Sequence, residues 1–291
     1  MKGIILAGGY GTRLYPLTKY ISKQLLPIYD KPMIYYPLSI LMQSNIKDVL
    51  IITNPEFINF YKDLLNDGSH LGMNIEYKIQ LEPKGIAEAF ILGEKFIGDD
   101  NVCLILGDNL FYGNKIDKLL SSCIRNLQNN LCTIIGYEVD DPKRFGVVEF
   151  DNNQEVLSIE EKPKKPKSNY AVTGLYFYTN DVIAYAKELK PSNRGELEIT
   201  DLNNIYIKKQ KMVIEMMDSH AFKWLDSGTF SALHESSKFI MEQQEVSQSQ
   251  ISLLDEIAFL KGFITKNQLK DNLKNLSSDL QEYLSNLYLS S

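Results

Sequence analysis

The chain has 291 residues, long enough for two domains or for one large α/β domain with a helical appendix. Its 37 acidic and 31 basic residues leave a formal net charge of −6, with a pI near 5.3, and no basic run exceeds 162–167; general binding to nucleic acid or to an anionic membrane is excluded. Cys103, Cys123 and Cys132 lack C-x-x-C spacing and suggest neither a disulfide framework nor a zinc site, and no segment approaches a membrane span, so a reduced, cytoplasmic setting is expected.

Residues 3–7 form a short apolar run that stops at Gly8-Gly9, which predicts a buried strand feeding a glycine-rich turn. Such a turn leaves close-packed N–H groups bare for phosphate oxygens, and Arg13 and Lys23 add two cations within reach, so residue chemistry alone points to a polyphosphate site. Two common phosphate loops are excluded. The dinucleotide fingerprint would need glycine where Leu14 stands, and the Walker pattern needs Gly-Lys where the chain has Gly11-Thr12-Arg13.

Asp30 and Pro32 mark the start of a helix with Met33, Tyr36, Pro37, Ile40 and Leu41 on one face. A strand over 49–53 follows, then Asn54-Pro55 as the expected cap of a helix to about Leu65. A strand over 75–79, a helix over 86–97 and a strand over 102–106 come next, the last ending at Gly107-Asp108-Asn109. This rhythm predicts an α/β fold with a Rossmann-like, mostly parallel central sheet flanked by helices. Ligands in such sheets bind beyond the carboxyl ends of the strands, where Gly8, Arg13 and Asp108 fall.

The middle third changes to short alternating strands, over 133–139, 146–150, 156–160 and 171–178, with Asp151-Asn152-Asn153 as a hairpin turn, so antiparallel additions are expected. A polar loop covers 162–167. Helices over 180–189 and 198–208 precede strands over 212–217 and 222–224, and from 229 onward the pattern is helical with breaks near Ser247, Gly262 and Leu276. No internal repeat is evident. On spacing alone, Asp108 in L-G-D-N and Asp226 in W-L-D-S-G-T each suit a cap of the following turn as well as a ligand.

The run G-x-G-T-R-L from Gly9, then x-P-x-T, S-K-Q-L-L-P and Y-D-K-P-M-I-Y-Y-P-L, resembles the sugar-1-phosphate nucleotidylyltransferases, and the likeness extends over essentially the whole chain. It implies in-line attack of a sugar 1-phosphate oxygen on the α-phosphorus of a nucleoside triphosphate, with Mg2+ and no protein nucleophile. The thymidylyl branch is implied: dTTP and glucose 1-phosphate give dTDP-glucose and pyrophosphate, feeding synthesis of dTDP-deoxysugars such as dTDP-rhamnose. A UTP- or CTP-dependent enzyme on the same fold and a non-catalytic nucleotide-sugar sensor are the alternatives.

The resemblance implies Arg13, Lys23 and Lys162 as catalytic cations and Asp108 and Asp226 as metal ligands. Gly8, Gly11, Thr12, Gln80 and Gly85 would bind the nucleotide, and Gly146, Glu161, Val172, Tyr176, Arg194 and Trp224 the sugar phosphate. Leu81-Glu82-Pro83-Lys84 departs from the family's P-S-P-x-G loop, and Phe145 stands where many relatives have Tyr. The implied organisation is a nucleotidyltransferase core over 1–228, with a nucleotide-binding half (1–110) and a sugar-binding half (111–228). A helical segment over 229–291 would serve assembly as a homotetramer and a second site for feedback inhibition by a dTDP-deoxysugar.

Overall fold

The computed structural model describes residues 1–153 and 155–289, so the last two positions of the helical segment lie outside the described residues. The strands in chain order are β1 (Lys2–Ala7), β2 (Pro27–Ile28), β3 (Lys31–Pro32), β4 (Asp48–Thr53), β5 (Asn74–Ile79), β6 (Val102–Leu106) and β7 (Asn109–Gly113). They continue with β8 (Cys132–Glu138), β9 (Gly146–Phe150), β10 (Val156–Glu161), β11 (Tyr170–Tyr178), β12 (Met212–Met217) and β13 (Phe222–Asp226). Nine of them make one sheet in the order β10-β9-β11-β6-β1-β4-β5, with β8 on β11 and β12 on β8. The block β6-β1-β4-β5 is parallel, as the strand and helix rhythm predicts, and β8 and β12 are parallel too. Strand β11 runs antiparallel to β6, β8 and β9, which makes the whole sheet mixed.

β1 is the middle of the parallel block. Ile4, Ile5 and Ala7 are sealed from solvent on both faces, as expected of a continuous apolar strand covered by helices on each side. One core, which includes Ile5, Leu38, Ile51 and Ile105, packs the helix Tyr35–Gln43 against one face, and a second, which includes Ile4, Phe90, Leu104 and Tyr178, fills the other.

Local expectations are corrected in several places: Asp30 and Pro32 do not open the first helix, because Lys31–Pro32 is strand β3 paired with β2 and the helix begins at Tyr35. The helix over 86–97 is two helices, Glu88–Leu92 and Glu94–Ile97, joined at Gly93, where a side chain would come within 2.9 Å of the Ala89 carbonyl and 3.0 Å of Ile4. Asn54 caps no helix; the next one begins at Ile58, and the Asn54 amide oxygen instead accepts the Gly9 N–H at 3.0 Å. Between residues 107 and 132 lie strand β7 and the amphipathic helix Ile116–Gln128, which buries Leu119, Leu120, Cys123 and Leu127 on the sheet. Neither was anticipated.

The C-terminal helices pack on the N-terminal half. Thr229 caps the helix Phe230–Ser247, whose Ile240 joins Ile28, Met33, Tyr36 and Leu110 in a third apolar cluster, and the helix Leu254–Leu260 lies on Tyr35–Gln43. Lys31 is one of several polar links between the two regions. Its buried Nζ donates to Asp30 Oδ2 at 2.7 Å, Gln250 Oε1 at 3.0 Å and Gln244 Oε1 at 3.2 Å. Burial pulls its pKa below the usual lysine range, against the opposing pull of Asp30. Lys31→Ala takes from Gln250 Oε1 its donor, while Asp30 keeps the Gln244 amide and Gln244 Oε1 keeps the Ile251 N–H, and urea unfolding is expected to show a loss of about 2 kcal/mol.

Candidate active site

The site is built where β6 ends. Gly107-Asp108 separates β6 from β7, and β7 pairs antiparallel with β13 in a two-stranded ribbon whose register sets Asp226 opposite Asn109. Two carboxylates more than a hundred positions apart in sequence thereby face each other. The Ser227 N–H donates to the Asp108 carbonyl at 3.3 Å and closes the end of the ribbon. Neither aspartate caps a helix, since Asp108 lies between two strands and Thr229 performs that role after β13. A single buried amide ties the ribbon to the large sheet. Asn109 Oδ1 accepts from Gly174 N at 3.0 Å and Trp224 Nε1 at 2.7 Å, while its Nδ2 donates to Asp108 Oδ1 at 2.9 Å.

A cavity of about 240 Å³ opens here, and Arg13, Asp108, Arg144, Glu161, Lys162 and Asp226 all line it. Gly146, Val172, Tyr176 and Trp224 form its less polar wall. Val172 and Tyr176 share one face of β11 by the two-residue alternation of a strand. Adjacent residues on a strand should point opposite ways, yet Glu161 and Lys162 both reach the cavity. Glu161 ends β10, and Lys162 has left the pleat with φ of 46°, its N–H donating to the Phe145 carbonyl at 2.9 Å. Glu161 accepts from Thr200 Oγ1 at 2.7 Å and lies 3.5 Å from Lys162 Nζ. Arg194 is outside the cavity and reaches it through Glu161 at 3.4 Å, its main partner being Glu198 at 2.6 Å.

A second cavity of about 210 Å³ shares Ile86, Leu106 and Asp108 with the first and is lined by Gly8, Gln80 and Gly85. Gln80, 3% exposed, donates from Nε2 to Glu88 Oε2 at 2.7 Å, and a Cβ on Gly8 would collide with its Oε1. Gly85 has φ of 100° and touches the Leu197 backbone, so only glycine fits. Gly11, with φ of 57°, accepts from Thr18 Oγ1 at 2.7 Å and shapes the loop; Thr12 is exposed at the start of the turn Thr12–Leu14 and lines neither cavity.

The pKa values of the two aspartates are shifted in opposite directions. Burial would raise the Asp108 pKa, but the Lys23 ammonium, buried and hydrogen-bonded to Oδ2, and the Asn109 amide hold it below the usual carboxylate range. For Asp226, burial and then repulsion from Asp108 raise the pKa, and Lys23, Arg13 and Arg144 offset this only in part. Among the described residues no three His, Cys, Asp or Glu side chains gather into a metal cage. Two hard carboxylates in a cavity fit Mg2+, which completes its shell with water and substrate oxygens.

Four residues were not identified as part of the site from the sequence. Arg144 lines the main cavity 4.0 Å from Asp226, and the only hint was an arginine just ahead of a glycine-led strand. Asn109 stood beside Asp108, but its role depends on β7, which had not been recognised. Nothing local distinguishes Asn54 or Glu88, whose partners lie on other segments.

The nucleotidyl transferase family model matches residues 2–243. A glucose-1-phosphate thymidylyltransferase from Neisseria gonorrhoeae is 52% identical over 276 residues, covering 95% of each chain. One from Mycobacterium tuberculosis is 47% identical over 277 residues, covering 95% of this chain and 94% of that one. A crystal structure from Bacillus anthracis, assigned as a glucose-1-phosphate thymidylyltransferase in complex with a sucrose, superposes with a TM-score of 0.75 at 43% identity, covering 82% of this chain and 94% of that one. A UDP-glucose pyrophosphorylase complexed with UDP-glucose reaches a TM-score of 0.73 at 26% identity, covering 83% and 98%.

The raised pKa of Asp226 has a consequence for stability. The folded carboxyl holds its proton more tightly than the unfolded one, so its contribution to stability is full below about pH 4 and is lost as pH rises through the folded pKa. In chelator, melts of Asp226→Asn and the unsubstituted protein should coincide in acid. At pH 8 the variant should be the more stable of the two, with the higher melting temperature.

Proposed function

The chain belongs to the nucleotidyl transferase family, and on that premise we propose that it transfers a thymidylyl group from dTTP to glucose 1-phosphate, giving dTDP-glucose and pyrophosphate. The similarity to thymidylyltransferases along nearly the full length supports the activity. The observation that carries the mechanism is the one cavity lined by Arg13, Asp108, Lys162 and Asp226, which shares Asp108 with the cavity of Gly8, Gln80 and Gly85.

Both reactants are anions, so the protein must overcome their repulsion and hold the sugar phosphate in line with the α-phosphorus. A phosphate oxygen of the sugar forms the new bond to that phosphorus as the bond to pyrophosphate breaks. Gly8, Gly85 and the Gln80 amide take the thymine end, with Gln80 oriented by Glu88. Arg13 and Lys23 receive the charge that collects on pyrophosphate, the planar guanidinium matching phosphate oxygens. Gly11 and Thr12 support this loop. Lys162 binds the sugar phosphate, and Arg194 orders the arm by holding Glu161, which takes a sugar hydroxyl beside Gly146, Val172, Tyr176 and Trp224. Asp108 and Asp226 would hold Mg2+, which when bound would supply charge neutralisation to the phosphate oxygens.

In the same reading, residues 1–228 are the catalytic core and the C-terminal helices, with Val246, Leu260 and Leu287 exposed, serve assembly as a homotetramer and a feedback site for a dTDP-deoxysugar. Cytoplasmic residence accords with the absence, among the described residues, of any helix long and apolar enough to cross a membrane.

Purified protein with glucose 1-phosphate and Mg2+ should release pyrophosphate fastest with dTTP and stop in chelator. Preference for UTP or CTP would overturn the thymidylyl assignment, and nucleotide binding without turnover would favour a sensor. Lys162→Ala should lower kcat/KM for glucose 1-phosphate by about 100-fold, measured by the same pyrophosphate release.

A further inference from the structure

The helix Ile199–Lys208 presents Ile199, Thr200 and Asn203 to the main cavity, one face at the spacing of a helical turn. Thr200 is engaged with Glu161. Asn203, 1% exposed, is engaged on one side only: Oδ1 accepts the hydroxyl of Tyr178, and Nδ2 is buried with no hydrogen-bond partner. The next residue shows the contrast, because Asn204 uses both ends of its amide on the β10 backbone, accepting from Ile159 N at 3.2 Å and donating to Ile159 O at 3.0 Å.

The orientation of the Asn203 amide is determined by its neighbour. Tyr178 is fully buried, packed at a ring-centroid distance of 6.2 Å parallel to Tyr176 and 5.5 Å from Tyr206. Its hydroxyl needs an acceptor, which is Oδ1, and this turns the donor end of the amide away from Tyr178. A buried N–H without an acceptor is costly and rare in native proteins, so its partner is expected to arrive from the space that the residue borders. That space also contains Glu161, Lys162 and Tyr176.

We propose that Asn203 is a specificity-determining residue that donates a hydrogen bond from Nδ2 to a hydroxyl of the hexose in the sugar phosphate. Tyr178 is its positioning residue, acting through the amide. The proposal rests on the sugar-phosphate reading of the cavity given above, and adds to it a donor from the helix beside Glu161. A site that hydrogen-bonds a hydroxyl discriminates against the analogue that lacks it, because the buried partner is left unpaired.

The test compares the unsubstituted enzyme, Asn203→Asp and Tyr178→Phe on glucose 1-phosphate and its 2-, 3-, 4- and 6-deoxy analogues. Asn203→Asp keeps an acceptor for Tyr178 and removes the donor. It should raise KM for glucose 1-phosphate about tenfold, leave kcat and the KM for dTTP within about twofold, and abolish the penalty that the unsubstituted enzyme shows for one deoxy position. Tyr178→Phe should weaken discrimination at that same position, and carries the test alone if the first variant does not fold. Equal losses across all analogues, or an unchanged sugar KM and discrimination in the folded variants, would overturn the role of Asn203 while the activity stands. Failure of the unsubstituted enzyme to turn over glucose 1-phosphate with dTTP would overturn both.

Discussion

The site depends on a repulsion. The ribbon of β7 and β13 brings Asp226 and Asp108 to one cavity, and two half-buried carboxylates that repel each other resist being charged together. Lys23 stabilises Asp108 directly, whereas Arg13 and Arg144 reach Asp226 less completely. The fold therefore maintains a pair of oxygen donors whose combined charge its own cations do not fully satisfy. Such a pair suits polyphosphate chemistry, in which a divalent cation and an anionic substrate enter together.

The rest of the architecture can be understood as what keeps that pair in place. Asn109 joins the ribbon to β11, and β11 joins the parallel half of the sheet to its antiparallel half through β6 and β8. The two cavities meet at Asp108 and are also stitched from outside. Leu197 donates to the Lys84 carbonyl at 2.7 Å and accepts from Ala87 at 3.2 Å, and three residues earlier Arg194 holds Glu161. One short segment thus connects the loop beside Gln80 with the arm that carries Lys162.

Much of this was legible in the sequence, for identifiable reasons. The apolar runs of β1, β4 and β6 are buried on both faces, so composition alone marks them as strands of a parallel block, and the breaks at Ser247 and Gly262 follow from helix-ending chemistry. Arg13, Asp108, Lys162 and Asp226 were named from motifs, and the structure brings them to one cavity. The misses share one cause. β7 is short and begins directly after a Gly-Asp turn, so it reads as loop until its partner β13 is known. Asn54, Glu88 and Asn203 carry their meaning in contacts across the sheet or helix layer, which no local pattern encodes. Gly93 splits a helix for a packing reason that needs Ile4 in view.

We propose that Asp108 and Asp226 together hold one divalent cation beside the triphosphate. Crystals grown with Mn2+, a non-hydrolysable dTTP analogue and glucose 1-phosphate would locate that cation by anomalous diffraction. A manganese peak is expected within coordination distance of both carboxylates, with Lys23 turned toward the phosphates. A peak elsewhere, or Lys23 still paired with Asp108 and the nucleotide bound away from both aspartates, would refute the shared site.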